Sequence, residues 1–434
     1  MPVNSSLFSS LKWLYPGMRV KRWLMLIPIG MIVVVAGVVL LANMSLVDVL
    51  GTVGTKAFTW FGVRLDKPET QIPVGLGLIL IGLLLIFASL RQVVRSIMSV
   101  VSPEMEGRLA DMVYQRRHLA QGQRIVVIGG GTGLSTMLRG LKQYSSNIVA
   151  VVTVTDDGGS SGQLQREMGM LPPGDIRNCI VALADAEYLM TELFQYRFDE
   201  STPGLEGHSF GNLLIATMTQ ITGDFEQAVK ETGNILAIRG SVYPSTVQNV
   251  KLQAELEDGS FAEGETNIVA SPLAIKHMML YPSTVNPLDE TLKAIELADC
   301  IVMGPGSIYT SVVPNLLVQG ISEAIQQSKA TKIYVCNVMT QPGETDGYSA
   351  SEHVRAIAKH TEFKVFNHVL VNNKKPSKEL LAKYAIEDQF FVEPDLALIR
   401  EMGYRPIVGD FISETNVVRH DPAKLAEAIM NLIS

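Results

Sequence analysis

The chain has 434 residues, 47% of them hydrophobic, with 36 basic and 43 acidic side chains giving a net charge of −7. That length exceeds one ordinary domain of about 100 to 200 residues, so one large domain with appendages is expected. The acidic balance, without a basic block interleaved with aromatics, argues against a nucleic-acid partner. Three scattered cysteines, Cys179, Cys300 and Cys336, exclude a disulfide framework or a thiolate zinc knuckle and are expected to pack as small apolar residues.

Residues 1–22 read as a tail carrying Lys12, Arg19, Lys21 and Arg22. Residues 23–44 and 71–90 contain no charged side chain, and each reaches the roughly 20 residues that a membrane-spanning helix needs. A hydrophobic core helix is the alternative, disfavoured because neither run has a polar face. Basic residues are retained on the cytoplasmic side, and they flank the pair on its outer ends, with Arg91, Arg95 and Arg108 following the second run. Residues 45–70 are balanced in charge and fit an extracytoplasmic loop. The first run is longer than the apolar core of a secretory signal and lacks a convincing small-residue cleavage site. The expectation is a two-pass protein of the cell membrane with its C-terminal domain in the cytoplasm. Residues 91–122, interrupted by Pro103, read as a juxtamembrane linker.

From 123 to 434 short Val/Ile-rich runs end in glycine-rich or polar turns and lead into amphipathic stretches, the pattern of βαβ units around a parallel sheet. Strands are predicted at 124–128, 148–154, 300–303, 332–337 and 365–371, with an antiparallel hairpin over 247–269 turning at Asp258-Gly259. Ligands of such α/β sheets bind beyond the carboxyl ends of the strands, so the loops there carry the functional reading.

The first loop, GGGTG at 129–133, brings Gly130, Gly131, Thr132 and Gly133 to a strand–helix junction, where bare backbone N–H groups and a helix N-terminus suit a phosphate. Ser135 adds a hydroxyl. A purely structural turn is the bland alternative, and the spacing breaks the dinucleotide fingerprint, with Thr136 or Leu134 where a third glycine belongs. The second loop, TDDGGSSG, places Asp156 and Asp157 at a strand end, suited to Mg²⁺ beside phosphates or to a solvated turn. The third, LPPGDIRN, offers Asp175 as a helix cap and Arg177 either as an anion fork or as the partner of Asp175 or Glu167. In GHSFGNLL, Ser209 is a predicted cap for a helix carrying Asn212, and His208 is either structural or a ligand contact. GPGSIYTS provides a second nest at Gly304, Gly306 and Ser307, and two nests suit a diphosphate. Asn337, Thr340, Gln341, Glu344 and Thr345 follow a further strand. There is no nucleophile elbow, Walker loop or zinc-protease motif.

Six segments in order, GGGTGLSTMLRGLK, TVTDDGGSSGQL, LPPGDIRNCIVALAD, GHSFGNLL, GPGSIYTSVVPNLL and NVMTQPGETDGYSA, resemble the YvcK-type gluconeogenesis factors, relatives of the CofD 2-phospho-L-lactate transferases. The resemblance spans residues 124–434 and leaves out the first 120 or so. It implies a Rossmann-like three-layer α/β fold binding a UDP-sugar such as UDP-N-acetylglucosamine or UDP-glucose, with a role in cell shape and envelope synthesis during gluconeogenic growth. By the same analogy Gly130 to Gly133 hold the diphosphate, Asp156, Asp157 and Asn212 line the site, and Arg419 contacts the ligand. A Mg²⁺-dependent transferase is the alternative, although no deazaflavin acceptor site is recognisable. The expected partners are the UDP-sugar and the membrane; homo-oligomerisation stays open.

Overall fold

In the computed structural model the described residues are 21–41, 68–101, 117–185, 187–199, 201–414 and 417–433. The predicted tail (but for its last two residues), nearly all of the predicted extracytoplasmic loop and the linker from residue 102 to 116 lie outside them. The chain divides into two units, residues 1–114 and 115–434.

The first unit contains α1 (Lys21–Leu41) and α2 (Pro68–Val101). Their apolar stretches, Arg22–Leu41 and Ile72–Ser96, have mean hydropathies of 2.9 and 2.6 and are long and apolar enough to cross a membrane. Helix α2 continues past residue 90 through part of the segment assigned above to a linker. The residues added there, such as Arg91, Gln92 and Arg95, are good helix formers. The helices pair antiparallel through glycines, Gly30 against Gly82 and Gly37 against Gly75. Large side chains such as Ile32, Leu84 and Phe87 point outward. The buried hydroxyl of Ser89 donates to the Leu85 carbonyl at 2.7 Å.

The second unit is built on a seven-stranded parallel sheet in the order β10-β9-β8-β7-β1-β2-β3. Its strands are β1 (Ile125–Gly129), β2 (Ile148–Val152), β3 (Ser241–Pro244), β7 (Cys300–Met303), β8 (Thr331–Val335), β9 (His368–Asn372) and β10 (Arg405–Gly409). The central strands are apolar along their whole length because helices cover both faces. Their side chains form one continuous core, in which all three cysteines are buried. Strand order reverses between β1 and β7, whose N-terminal ends are joined by the Arg124–Asp299 ion pair at 2.8 Å.

The helices that matter for the site are α3 (Gly131–Leu141), α4 (Gly159–Met168), α5 (Gly174–Leu183) and α6 (Phe210–Thr222). A three-stranded antiparallel sheet, β5-β4-β6, is inserted after β3, from β4 (Lys251–Leu256), β5 (Phe261–Glu263) and β6 (Ile275–Tyr281). Its β4–β5 turn is at Asp258-Gly259, but the hairpin is shorter than the sequence suggests. Residues Glu265–Val269 coil into a short helix, α7. A last antiparallel pair, β11 (Ile412–Glu414) with β12 (Val418–His420), lies before the C-terminal helix.

Candidate functional site

The reversal between β1 and β7 sends their following loops apart and opens a crevice at the carboxyl edge of the sheet. Both predicted nests stand there. Gly130 caps α3 in extended conformation, and the first turn of that helix lines the crevice with N–H groups that have no partner within the helix, that of Gly131 being taken by Asp175. The second loop leaves β7 through Gly304 and Pro305 and enters a π-helical turn, Ile308–Val312, capped by Ser307, whose hydroxyl accepts from the Thr310 N–H at 3.1 Å.

The two loops are locked to each other. A Cβ on Gly133 would fall 2.5 Å from the Pro305 carbonyl oxygen, and one on Gly130 would fall 2.5 Å from Asp175 Oδ2. Asn315, buried, donates to the Gly129 carbonyl at 3.1 Å. Asn337, at the end of β8, accepts from Gly306 N–H at 3.1 Å and donates to its carbonyl at 2.8 Å.

Between the loops lies a cleft of about 530 Å³. Gly130, Gly131, Thr132, Gly133, Gly306, Ser307 and Arg419 all line it, together with Asn337, Thr340, Gln341 and Glu344. Gly304 is not in that lining; its amide donates to the Ile128 carbonyl at 2.9 Å and shapes the turn. Ser135 likewise serves the helix, donating to the Thr132 carbonyl at 2.9 Å. Tyr384, Val338, Met339 and Val418 form the more apolar end.

Asp156 and Asn212 line a second, smaller hollow beside the first, along with Ser160, Ser161, Asp175, Arg177 and Arg197. Asp156 accepts from the Gly158 N–H at 3.0 Å. Asp157 turns the other way, accepting from the Thr266 N–H at 3.0 Å and hydroxyl at 2.7 Å. The adjacent carboxylates therefore do not converge on one point. Among the described residues no group of three or more His, Cys, Asp or Glu is placed to hold a metal ion.

Arg177 pairs with neither Asp175 nor Glu167. Its guanidinium donates to Ser209, to Asn212 at 3.0 Å and to Asn178 at 2.9 Å. Ser209 caps α6 as expected, and His208 shares a hydrogen bond with Ser160 at 3.0 Å in the buried network beneath.

Sequence reasoning missed two acidic contributions. Asp175 is not a cap; it lies in the first turn of α5, against Gly130 and accepting from Gly131, and burial followed by the nearby Asp156 charge raises its pKa to about 6. Glu265, from the inserted sheet, reaches the cleft on α7. Burial, then the charges of Asp156, Asp175 and Glu344, push its pKa to about 8. Glu344 is raised too, mainly by burial, while accepting from Ser307 and Thr310. The cradle thus has the N-terminal turn of α3 at its centre and carboxyls at its margin, with the Gly306 N–H and the Ser307 hydroxyl already engaged by Asn337 and Glu344.

Residues 125–412 match the family described as 2-phospho-L-lactate transferase CofD. The chain belongs to this CofD family. Within it, a curated relative from Nostoc sp. is 46% identical over 422 residues, covering 96% of this chain and 91% of the relative. The gluconeogenesis factor of Bacillus subtilis is 45% identical over 316 residues, covering 73% of this chain and 99% of its own length. A crystal structure of a UPF0052 family member from Bacillus halodurans is 48% identical, with a TM-score of 0.69 over 71% of this chain and 99% of that one. The Nostoc match is too long to omit the N-terminal unit, so the likeness extends beyond the α/β unit to which the sequence analysis confined it.

Proposed function

We propose that the cleft binds a UDP-sugar, UDP-N-acetylglucosamine or UDP-glucose. On this reading the chain is a ligand-responsive regulator of cell shape and envelope synthesis during gluconeogenic growth. It is held at the cell membrane by α1 and α2, with the α/β unit in the cytoplasm. The observation that carries the binding is the interlocked pair of nests, Gly130–Gly133 and Gly306–Ser307, at the β1/β7 reversal. The N–H groups in the first turn of α3 suit a phosphate, the Gly306–Ser307 turn, whose N–H and hydroxyl are engaged by Asn337 and Glu344, packs against them as the adjoining wall, and the apolar end at Tyr384 and Met339 suits a base. The link to gluconeogenic growth is supported by the name of the Bacillus subtilis relative, a gluconeogenesis factor. Calorimetric titration of the full chain in detergent with UDP-N-acetylglucosamine tests the binding; no heat at millimolar ligand removes it.

A second reading, a Mg²⁺-dependent transferase acting on a nucleotide-diphosphate substrate, is supported by Asp156 and Asp175 beside the cradle and by the description of the family. A hard cation held there would neutralise diphosphate charge. Metal-dependent release of a uridine nucleotide, abolished in Asp156→Asn, would favour it over the regulator.

A further inference from the structure

The smaller hollow, about 280 Å³, lies beside the diphosphate cradle, and the UDP-sugar reading of the main cleft gives it no role. Its walls differ in charge. Asp156 and Asp175 stand on the cradle side, Asp175 in contact with the Gly130–Gly131 turn. Arg177 extends the other way, its side chain crossing Gly211 to reach Ser209 and Asn212 on α6. Arg197 lies close enough for its charge to act on Arg177, and is itself held by the Gly207 carbonyl at 2.9 Å.

Arg177 is only 5% exposed, yet every hydrogen-bond partner it has is neutral. A guanidinium has five N–H donors, and three bonds are made. Nε has no partner. A buried guanidinium with open donors and no carboxylate bonded to it is costly, even with the charges of Asp175 and Asp156 acting on it, and an Nε/Nη2 edge, whose Nη2 gives one bond to Asn178, is the geometry that a carboxylate engages with two parallel bonds. Carboxylates such as Asp156 and Asp175, in turn, accept hydrogen bonds from sugar hydroxyls.

We propose that this hollow is a subsite for a carboxylate carried on the sugar of the bound nucleotide sugar, an inference that rests on the nucleotide-diphosphate reading of the main cleft. The diphosphate occupies the cradle, the sugar hydroxyls donate to Asp156 and Asp175, and the carboxylate reaches the Arg177 edge with Arg197 at the rim.

UDP, UDP-glucose and UDP-glucuronate test it, because the last two differ by one carboxylate in place of a hydroxymethyl group. Titrated into the full chain in detergent, UDP-glucuronate is expected to bind about tenfold more tightly than UDP-glucose. Arg177→Gln and Arg197→Gln should each bring that ratio toward one. Arg197 is exposed, so its variant and the wild-type ratio decide the matter if Arg177→Gln fails to fold. Equal affinities with UDP binding intact overturn the subsite and leave the cleft reading standing, as does a preference that survives both substitutions. Failure of all three ligands to bind removes the cleft reading and the subsite together.

Discussion

Gly133 and Pro305 approach so closely that a methyl group on the glycine would stand 2.5 Å from the proline's carbonyl oxygen. One belongs to the turn after β1 and the other to the turn after β7, so the absence of a side chain is what lets the two loops act as one cradle. Gly133→Ala should push the loops apart. Overpacking of this kind costs about 1–3 kcal/mol, which thermal denaturation would read, and UDP-sugar affinity should fall at least about tenfold. Wild-type affinity in a folded alanine variant would show that the loops need not touch.

Glu265 supplies a pH prediction. Its folded pKa is raised from 4.5 to about 8, first by burial and then by Asp156, Asp175 and Glu344. For an acid shifted upward, the associated stability is full below the unfolded value and is lost as pH rises through the folded one. Glu265→Gln should therefore match the wild type near pH 4.5 and exceed it by on the order of 2 kcal/mol near pH 9. Urea denaturation at the two pH values checks this. Binding of a diphosphate without metal should weaken in the wild type over the same interval, as Asp175 and then Glu265 ionise beside it, and the Gln variant should remove the upper part of that slope. A Mg²⁺-dependent site would show the opposite trend.

Arg419 on β12 is exposed and lines the same cleft as the glycine loops. A guanidinium there meets phosphate oxygens as a fork, worth about 1.5–3 kcal/mol. Arg419→Gln should raise the dissociation constant for a UDP-sugar by about tenfold or more and reduce its dependence on salt concentration. Because the side chain is at the surface, the melting temperature should hardly change. An unchanged affinity would place the diphosphate elsewhere.

How much of this was legible from sequence follows from burial. Cys300 to Met303 is read as a strand because a central parallel strand is apolar on both faces. The edge strands escape that test: β10, with sequence RPIVG, is only half-buried, and β3 contains a proline. The position of the first glycine loop was legible because four glycines in five positions after an apolar run mark a strand–helix junction, and its residues do line the cleft. Glu265 was not, since it comes with the inserted sheet and joins Gly130–Gly133 in lining the cleft only through the placement of α7. Asp175 had a local role in sequence terms, a cap, and its contact with Gly130 depends on how α5 packs against α3. Spacing likewise paired Asp156 with Asp157, whereas the backbone turn between them directs one to the hollow and the other to Thr266.

The N-terminal unit offers the last test. A Cβ on Gly37 would lie 2.7 Å from the Gly75 carbonyl oxygen, and one on Gly82 would lie 2.7 Å from that of Gly30, whereas Gly77 faces open space. In a lipid environment helices associate through close packing of small residues rather than through the hydrophobic effect. Gly37→Leu should therefore separate α1 from α2, while Gly77→Leu should leave them paired. Spin labels on cysteines introduced at the exposed positions Ile32 and Leu84 would report the separation in nanodiscs. The native cysteines are buried and should not compete for label. A longer, broader distance distribution is expected for Gly37→Leu alone; the same change in both variants would mean that bulk, not the glycine contact, sets the pairing.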